Sequence, residues 1–370
     1  LLKSVAYVTP SGTVEFNCPA SDPNDDPLTF AWTTSGGSLD GSGSAVTWTA
    51  PASEGIFQIN VKVADDEGLF AEANTTILVK NFDTTPANLI AHYPFSGNAN
   101  DVSGNQLHGQ LSGGALIFND LWGNPNSAAL LDGVNDVVIV QNDPTLNFED
   151  AISVSCWFKA TLLPDNEIFL LSHGSWQNRW KISVTPEQKL RWTLNSLVSI
   201  GDLDSQIDIH KDSIYHVTAT YDGFLLALYL NGELHTYKPL TGKIRQASVP
   251  FLIGQMLPGE TIYNFKGTLD EVKIFDRALT PDAAKMLYEN SPVSTDESHK
   301  LTLPLAITPN PVSEMLLIRL PETTDKAARV LIFDLNGKLV LEQKTTLGAT
   351  IELNVKNWKS GFYIAVFKTD

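Results

Sequence analysis

The chain has 370 residues, 43% of them hydrophobic and 18% charged, which is enough apolar material for two or three cores and excludes a disordered polypeptide. With 25 Lys and Arg against 42 Asp and Glu, a net charge of −17, it also excludes a nucleic-acid binder, which needs a basic face. The balance fits a soluble extracellular protein with oxygen-rich loops that attract hard cations.

Residues 1–80 read as about seven short alternating strands separated by Gly, Asn, Asp and Pro, the pattern of an antiparallel sandwich. VEFNC, LTFAWTT, AVTWTA, FQINVKVAD and TTILVK are the clearest, and Trp32 falls where such a sandwich places a core aromatic. Cys18 and Cys156 both occupy apolar-facing strand positions and read as buried, reduced thiols. No Cys/His spacing suggests zinc. The stretch ASDPNDDPLTFAWTTSGG, followed by INVKVADDEG, resembles the polycystic-kidney-disease-type (PKD) family of Ig-like domains. That resemblance implies a spacer domain over 1–80. Its acidic group Asp22, Asn24, Asp25 and Asp26 is either a solvated turn or, with Asp65 or Asp66, a calcium site.

NFDTTPAN, 81–88, is a linker. The loop FSGNANDVSGNQLHG, 95–109, is rich in Gly and Asn, which tolerate positive φ. Asn98, Asp101 and Asn105 offer oxygens on a backbone that can fold back on itself. The loop is either a calcium cage or a turn closed by side-chain-to-backbone hydrogen bonds. Further along come SAALLDGVNDVVIV, AISVSCWFKA and YHVTATYDGFLLALYLNGEL, with turns at Asp222-Gly223 and at the hairpin pair Asn231-Gly232. GTLDEVKIFDRALTPDAAKMLYEN closes the domain with its best helix, 280–290, with Thr280 as N-cap and Pro281 at the first helical position. In this order the motifs resemble the laminin-G-like, concanavalin-A-like jelly-roll family of bacterial surface proteins, over 89–290 of a domain bounded at 87–290. The resemblance implies a structural calcium on the 95–109 loop, with Asp101 its central ligand and Asp270 of GTLDEV its distant one.

SPVSTDESHK, 291–300, is a second linker, and the charge changes there: residues 300–370 carry nine basic and seven acidic groups, a net of +2. The remainder, 301–370, reads as a small all-β unit. Pro309, Asn310 and Pro311, then Asp334, Gly337 and Lys338 in FDLNGKLV, then Gly361 and Tyr363, resemble the C-terminal sorting domain of type IX secretion substrates in Bacteroidota. The resemblance implies a small Ig-like β-sandwich recognised by the type IX translocon and sorting machinery. It also implies a product that is secreted or attached to the cell surface, via the outer membrane. A longer secreted polypeptide is expected to precede Leu1. No apolar run approaches the ~20 residues of a membrane span.

The chemistry points away from catalysis. Laminarinase-type jelly rolls carry two Glu on one strand face, but the nearest stretch, QIDIH at 206–210, has Gln206 and His210 in those positions. There is no G-x-S-x-G, no H-E-x-x-H and no phosphate loop. A sugar site needs an aromatic platform beside amides or Arg, and SHGSWQNRW, 172–180, supplies Trp176, Asn178 and Arg179, which either face such a ligand or simply cap the sandwich. Trp180 shares a strand face with Ile182 and Val184 and belongs to the core. The acidic run 200–212 reads as a solvated loop or, alternatively, a second cation site.

The sequence therefore predicts an all-β chain of three domains: an Ig-like sandwich, a concanavalin-A-like jelly roll and a small sorting sandwich. It reads as the non-enzymatic C-terminal region of an exported protein, with carbohydrate or surface polysaccharide as the ligand class. The alternatives are accessory domains of a secreted hydrolase whose catalytic domain lies upstream, or a purely structural adhesin.

Overall fold

Alternating apolar and polar residues put one face of each strand inward, and the strands pair into sheets whose inner faces meet. In the computed structural model the described residues are 2–3, 6–163, 165–290, 306–308, 315–319, 327–334, 339–346, 350–356, 358 and 363–369. They are almost entirely β, and the chain divides into two compact units, 1–294 and 295–370.

The first unit opens with two four-stranded sheets. One orders Leu2–Lys3, Thr13–Asn17, Ala45–Thr49 and Ser38–Asp40; the other orders Tyr7–Val8, Phe70–Val79, Gly55–Ala64 and Thr29–Thr34. In Thr13–Asn17, Val14 and Phe16 are buried and their neighbours exposed. The core gathers Val14, Phe16, Val46, Trp48, Ile59 and Ile77. Trp48 is its fully buried tryptophan, its Nε1 donating to the Gly36 carbonyl at 2.8 Å. Trp32 is half-buried at the core's margin, with its Nε1 donating to the Gly43 carbonyl at 2.9 Å. Cys18 and Cys156 are both buried and unbridged.

The jelly roll follows as two larger sheets. A seven-stranded sheet orders Gly109–Ser112, Val137–Val140, Phe251–Ile253, Ile168–His173, Trp180–Val184, Lys189–Asn195 and Ile200–Asp208. The facing sheet orders Leu116–Phe118, Ala128–Asp132, Lys266–Phe275, Ile152–Ala160, Ile214–Tyr221, Leu225–Leu230 and Glu233–Pro239, and Leu89–Tyr93 also pairs with Lys266–Phe275. Between them lies one core that includes Tyr93, Phe158, Trp180, Ile182, Trp192, Val217 and Leu228. Each such side chain contributes about 1.5–3 kcal/mol on burial. The 214–239 meander turns where the sequence predicts: Asn231 (φ 50°) and Gly232 (φ 80°) form the tight hairpin, and Asp222 Oδ1 accepts the Phe224 and Leu225 amides. Helix Pro281–Glu289 closes the unit, Thr280 Oγ1 accepting the Ala283 amide at 3.2 Å.

The second unit pairs Ala306–Thr308, Met315–Arg319 and Thr350–Asn354 in one sheet, and Leu339–Thr346, Ala327–Asp334 and Tyr363–Thr369 in another. Ile318, Val330, Ile332, Ile351 and Leu353 are its core.

Candidate functional site

Two places in the jelly roll carry the polar residues singled out in the sequence. The first is the 95–109 loop. Asp101 is buried, and its carboxylate accepts four hydrogen bonds. Oδ1 takes the His92 and Ser103 amides at 2.9 Å each; Oδ2 takes Ser103 Oγ at 2.9 Å and the Leu107 amide at 3.1 Å. Burial opposes the charge, but these donors together outweigh it, so the carboxyl sits below its ordinary range. Asn98 Oδ1 accepts the Asn100 amide, while the Asn105 amide donates to the Ile90 and Leu89 carbonyls.

Asp270 is buried in strand Lys266–Phe275, where its Oδ1 accepts the Glu271 amide at 2.7 Å. Burial, then the charges of Glu271 and Asp120, push its carboxyl up to about 8. No described contact joins it to Asp101. A carboxylate has about four acceptor directions, and those of Asp101 are all taken by N–H and O–H donors. Among the described residues no three His, Cys, Asp or Glu are grouped to hold a metal. Asn98, Asp101 and Asn105 each hold a hydrogen bond within or beside the loop, and Asp270 lies apart on its strand. The Asp22 turn behaves similarly, with Asp22 Oδ1 accepting the Asn24 and Asp26 amides.

The second place is the corner built on SHGSWQNRW. After Ile168–His173 the chain makes one helical turn, Ser175–Asn178, before Trp180–Val184. Gly174 permits it: its φ is 75°, and a Cβ there would lie 2.6 Å from that of Asn178. Trp176 is 44% exposed, whereas Trp180 is buried as its strand position predicts. Asn195 Nδ2 holds the turn through the Trp176 and Gln177 carbonyls, both at 3.0 Å.

Arg179 corrects the sequence reading. It was expected to face a ligand beside Trp176, but it is fully buried. Its guanidinium donates to the Arg245 carbonyl at 2.6 Å, Phe148 at 2.7 Å and Leu146 at 2.9 Å, tying the turn to two distant segments. The group that reaches solvent instead is Arg245. Arg245, Asn178, Gln177, Gln246, Glu149, Leu197 and Ile244 surround a depression of about 320 Å³. Arg245 Nε donates to Asn195 Oδ1 at 3.0 Å and to the Ser196 carbonyl at 3.2 Å. Glu149 accepts Gln246 Nε2 at 2.8 Å and Lys243 Nζ at 3.3 Å. Sequence reasoning missed Glu149, Gln177, Arg245 and Gln246. The available signal was HTYKPLTGKIRQASV, 235–249, which has Lys238, Lys243 and Arg245 and no acid in a strongly acidic chain.

Hydrolytic machinery fares poorly. Ser155 Oγ and His216 Nε2 lie 2.9 Å apart, but both residues are buried, with the Trp157 and Tyr288 rings flanking the imidazole. Burial, then the charge of Lys273, pushes His216 down to about 3. In the sorting unit, Asp334 and Tyr363 pair across adjacent strands. Pro309, Asn310, Pro311, Gly337, Lys338 and Gly361 lie outside the described residues.

Residues 132–285 match the concanavalin A-like lectin/glucanases superfamily, and residues 306–370 match the secretion system C-terminal sorting domain. The chain thus carries a concanavalin-A-like domain and a type IX sorting tail, which directs it to the cell surface or the extracellular space. No described helix is long and apolar enough to cross a membrane. No curated protein matches the chain. Among solved structures, it is similar to domain 4 of an extracellular arabinanase from Geobacillus stearothermophilus in complex with arabinotriose, at 22% identity and TM-score 0.45, covering 55% of this chain and all of that one. It is also similar to the binding domain of Paraclostridial Mosquitocidal Protein 1, at 20% identity and TM-score 0.48, covering 76% of this chain and 75% of that one. The ligand-binding domain of botulinum neurotoxin serotype D, in complex with N-acetylneuraminic acid, matches at 15% identity and TM-score 0.46, covering 73% and 71%.

Proposed function

We propose that this chain, sent out of the cell by its sorting tail, binds carbohydrate through its concanavalin-A-like domain without cleaving it. The observation that carries the reading is the corner at 174–179. An exposed tryptophan there directly precedes two amide side chains that border a shallow polar depression. Aromatic surface next to a few fixed polar groups is what a sugar ring requires: a flat apolar partner for its C–H face and oriented partners for its hydroxyls. Gln177 and Asn178 are held on a turn that Asn195 and Gly174 lock from behind, so little ordering is left for binding to cost.

The absence of cleavage rests on residue chemistry. Gln206 and His210 stand where a laminarinase-type site needs ionisable Glu, and the Ser155–His216 pair is sealed from solvent. The test is a glycan array with the full chain, followed by titration of the best ligands. Trp176→Ala and Asn178→Ala are each expected to weaken binding about tenfold or more, the range of an interface hot spot. Unchanged affinity in both variants would remove the corner as the site, and release of reducing sugar from any ligand would refute the non-catalytic assignment.

A further inference from the structure

The depression bordered by Gln177 and Asn178 has a charge character at odds with the acidic chain around it. In a chain of net charge −17, Arg179, Lys243 and Arg245 meet here against Glu149 and Asp150. Arg179 is the unusual member. Its guanidinium is fully buried, lies 5.3 Å from the Phe148 ring centroid, and rests on three backbone carbonyls with no carboxylate among its hydrogen-bond partners. Its Nε is a buried donor with no partner. Burial lowers it to about 10, with Glu149 pulling the other way. A cation held without a counter-ion is costly, and its field is poorly screened by protein. Glu149 does not neutralise it cleanly, because Glu149 already receives Lys243 and Gln246.

In front of that charge stands Arg245, whose own carbonyl is one of the three that Arg179 holds. Its side chain borders the depression and is anchored at one end, Nε on Asn195 Oδ1 and the Ser196 carbonyl. Its two terminal amino groups have no partner among the described contacts. A guanidinium fixed at Nε presents a flat fork that matches a carboxylate, forming two parallel charge-assisted hydrogen bonds.

We infer that the depression takes a carboxylated sugar, a uronic-acid-type residue of a polysaccharide, whose carboxylate pairs with the Arg245 fork while the Gln177 and Asn178 amides take ring hydroxyls. This rests on the carbohydrate reading above and narrows it. One free fork answers one planar carboxylate, and Lys243 is already engaged by Glu149 and Asp150.

The experiment is calorimetric titration of the full chain with galacturonate, guluronate and glucuronate oligomers. Each is set beside the neutral oligomer of the same linkage and length, with a sulfated neutral oligomer as a third arm. At least one acidic oligomer is expected to bind ten times or more tighter than its neutral counterpart, with affinity falling as salt rises. Arg245→Gln is expected to abolish that preference and its salt dependence, so that acidic and neutral oligomers bind alike, and Arg245→Lys to keep only part of it, with both variants folded by circular dichroism. Equal affinity for acidic and neutral oligomers, unaffected by Arg245→Gln but lowered by Trp176→Ala, overturns the inference and leaves the carbohydrate reading standing. Preference for the sulfated oligomer over every uronate overturns the carboxylate assignment. Failure to bind any oligomer in either series overturns the reading and the inference together.

Discussion

The 95–109 loop and the 174–179 corner each bury a charge, and they treat it in opposite ways. Asp101 is closed: four donors from its own neighbourhood fill both oxygens. Arg179 is open: three carbonyls satisfy its terminal amines, its Nε stays unpartnered, and no carboxylate touches it. A closed charge belongs to the architecture, since everything that would bind it is already covalently attached. An open one leaves a field that Glu149 only partly offsets at the surface in front of it, where Arg245 also stands. Arg179, a ligand contact in the sequence, therefore sits behind the depression, and Asp101 holds its loop through hydrogen bonds.

The largest effect that would test this contrast is Asp101→Ala. It strands three backbone amides in a buried loop, and hydrogen bonds to a charged group contribute about 1.5–3 kcal/mol each, not additively. A loss of about 4 kcal/mol in denaturant unfolding is expected, with sugar binding intact in whatever fraction remains folded. A loss below 1 kcal/mol would mean the loop is not closed by that carboxylate. Arg179→Met comes next. It removes the uncompensated charge along with its three hydrogen bonds, so a gain partly offsets the loss, and about 2–3 kcal/mol is expected. If Met at this position stabilised the protein, burial of the charge would be pure cost, and the tie to Leu146 and Phe148 would be dispensable.

Acid sharpens the comparison further. His173 and His216 are both held near 3, His173 by burial and then by Arg179, and His216 by burial and then by Lys273. Their unfolded values lie near 6.5. The unfolded chain therefore takes up protons first, and stability falls as pH drops from 6.5 toward 3. The two imidazoles together take away about 2 kcal/mol between pH 6.5 and 5.5, while Asp270, held up at about 8 and so already protonated when folded, returns about 1 kcal/mol, leaving a net loss of about 1 kcal/mol. Asp101 acts elsewhere: its pKa is lowered, so its contribution is present above about 3.9 and is lost only as pH falls through its folded value. Hydrogen-exchange or denaturant titrations across pH 7 to 2 separate the two. In Arg179→Met the fall should level off at a higher pH than in the parent chain, because His173 loses its cationic neighbour and its folded value rises; the same levelling point in both would show that Arg179 does not reach it.

What the sequence disclosed was local. Thr280-Pro281 and Asn231-Gly232 set their own backbone, so the helix start and the hairpin could be read from adjacent residues. The alternation of Trp180, Ile182 and Val184 likewise announced a buried face. What it hid was long-range. In SWQNRW, Arg179 sits among polar neighbours and looks exposed; its burial is imposed by carbonyls 31, 33 and 66 residues away. Arg245 shows in the sequence only as part of a basic stretch; the placing of its guanidinium depends on Asn195, fifty positions earlier, which accepts from its Nε. In the first sandwich Trp48, rather than Trp32, fills the centre, a choice that pairing across two sheets decides and alternation within one strand does not.

The smallest expected effect is the one that could still undo the contrast. If Asp101 is closed, adding calcium or chelating it should move Tm by less than about 1 °C, because an ion would have to displace amide and hydroxyl donors that the loop cannot easily re-satisfy. The readout is clean. A native-state site at a hundred times its Kd adds about 2.7 kcal/mol, which is several degrees for a domain of this size. A rise of that size, lost in Asp101→Asn, would mean that the loop rearranges to trade donors for a cation, and that closure by hydrogen bonds is only one of its states. Asp101→Asn supplies the internal control, because it leaves the other acidic turns unchanged. A calcium response that survives Asp101→Asn would therefore have to come from another acidic turn, with the Asp22 loop the first to test.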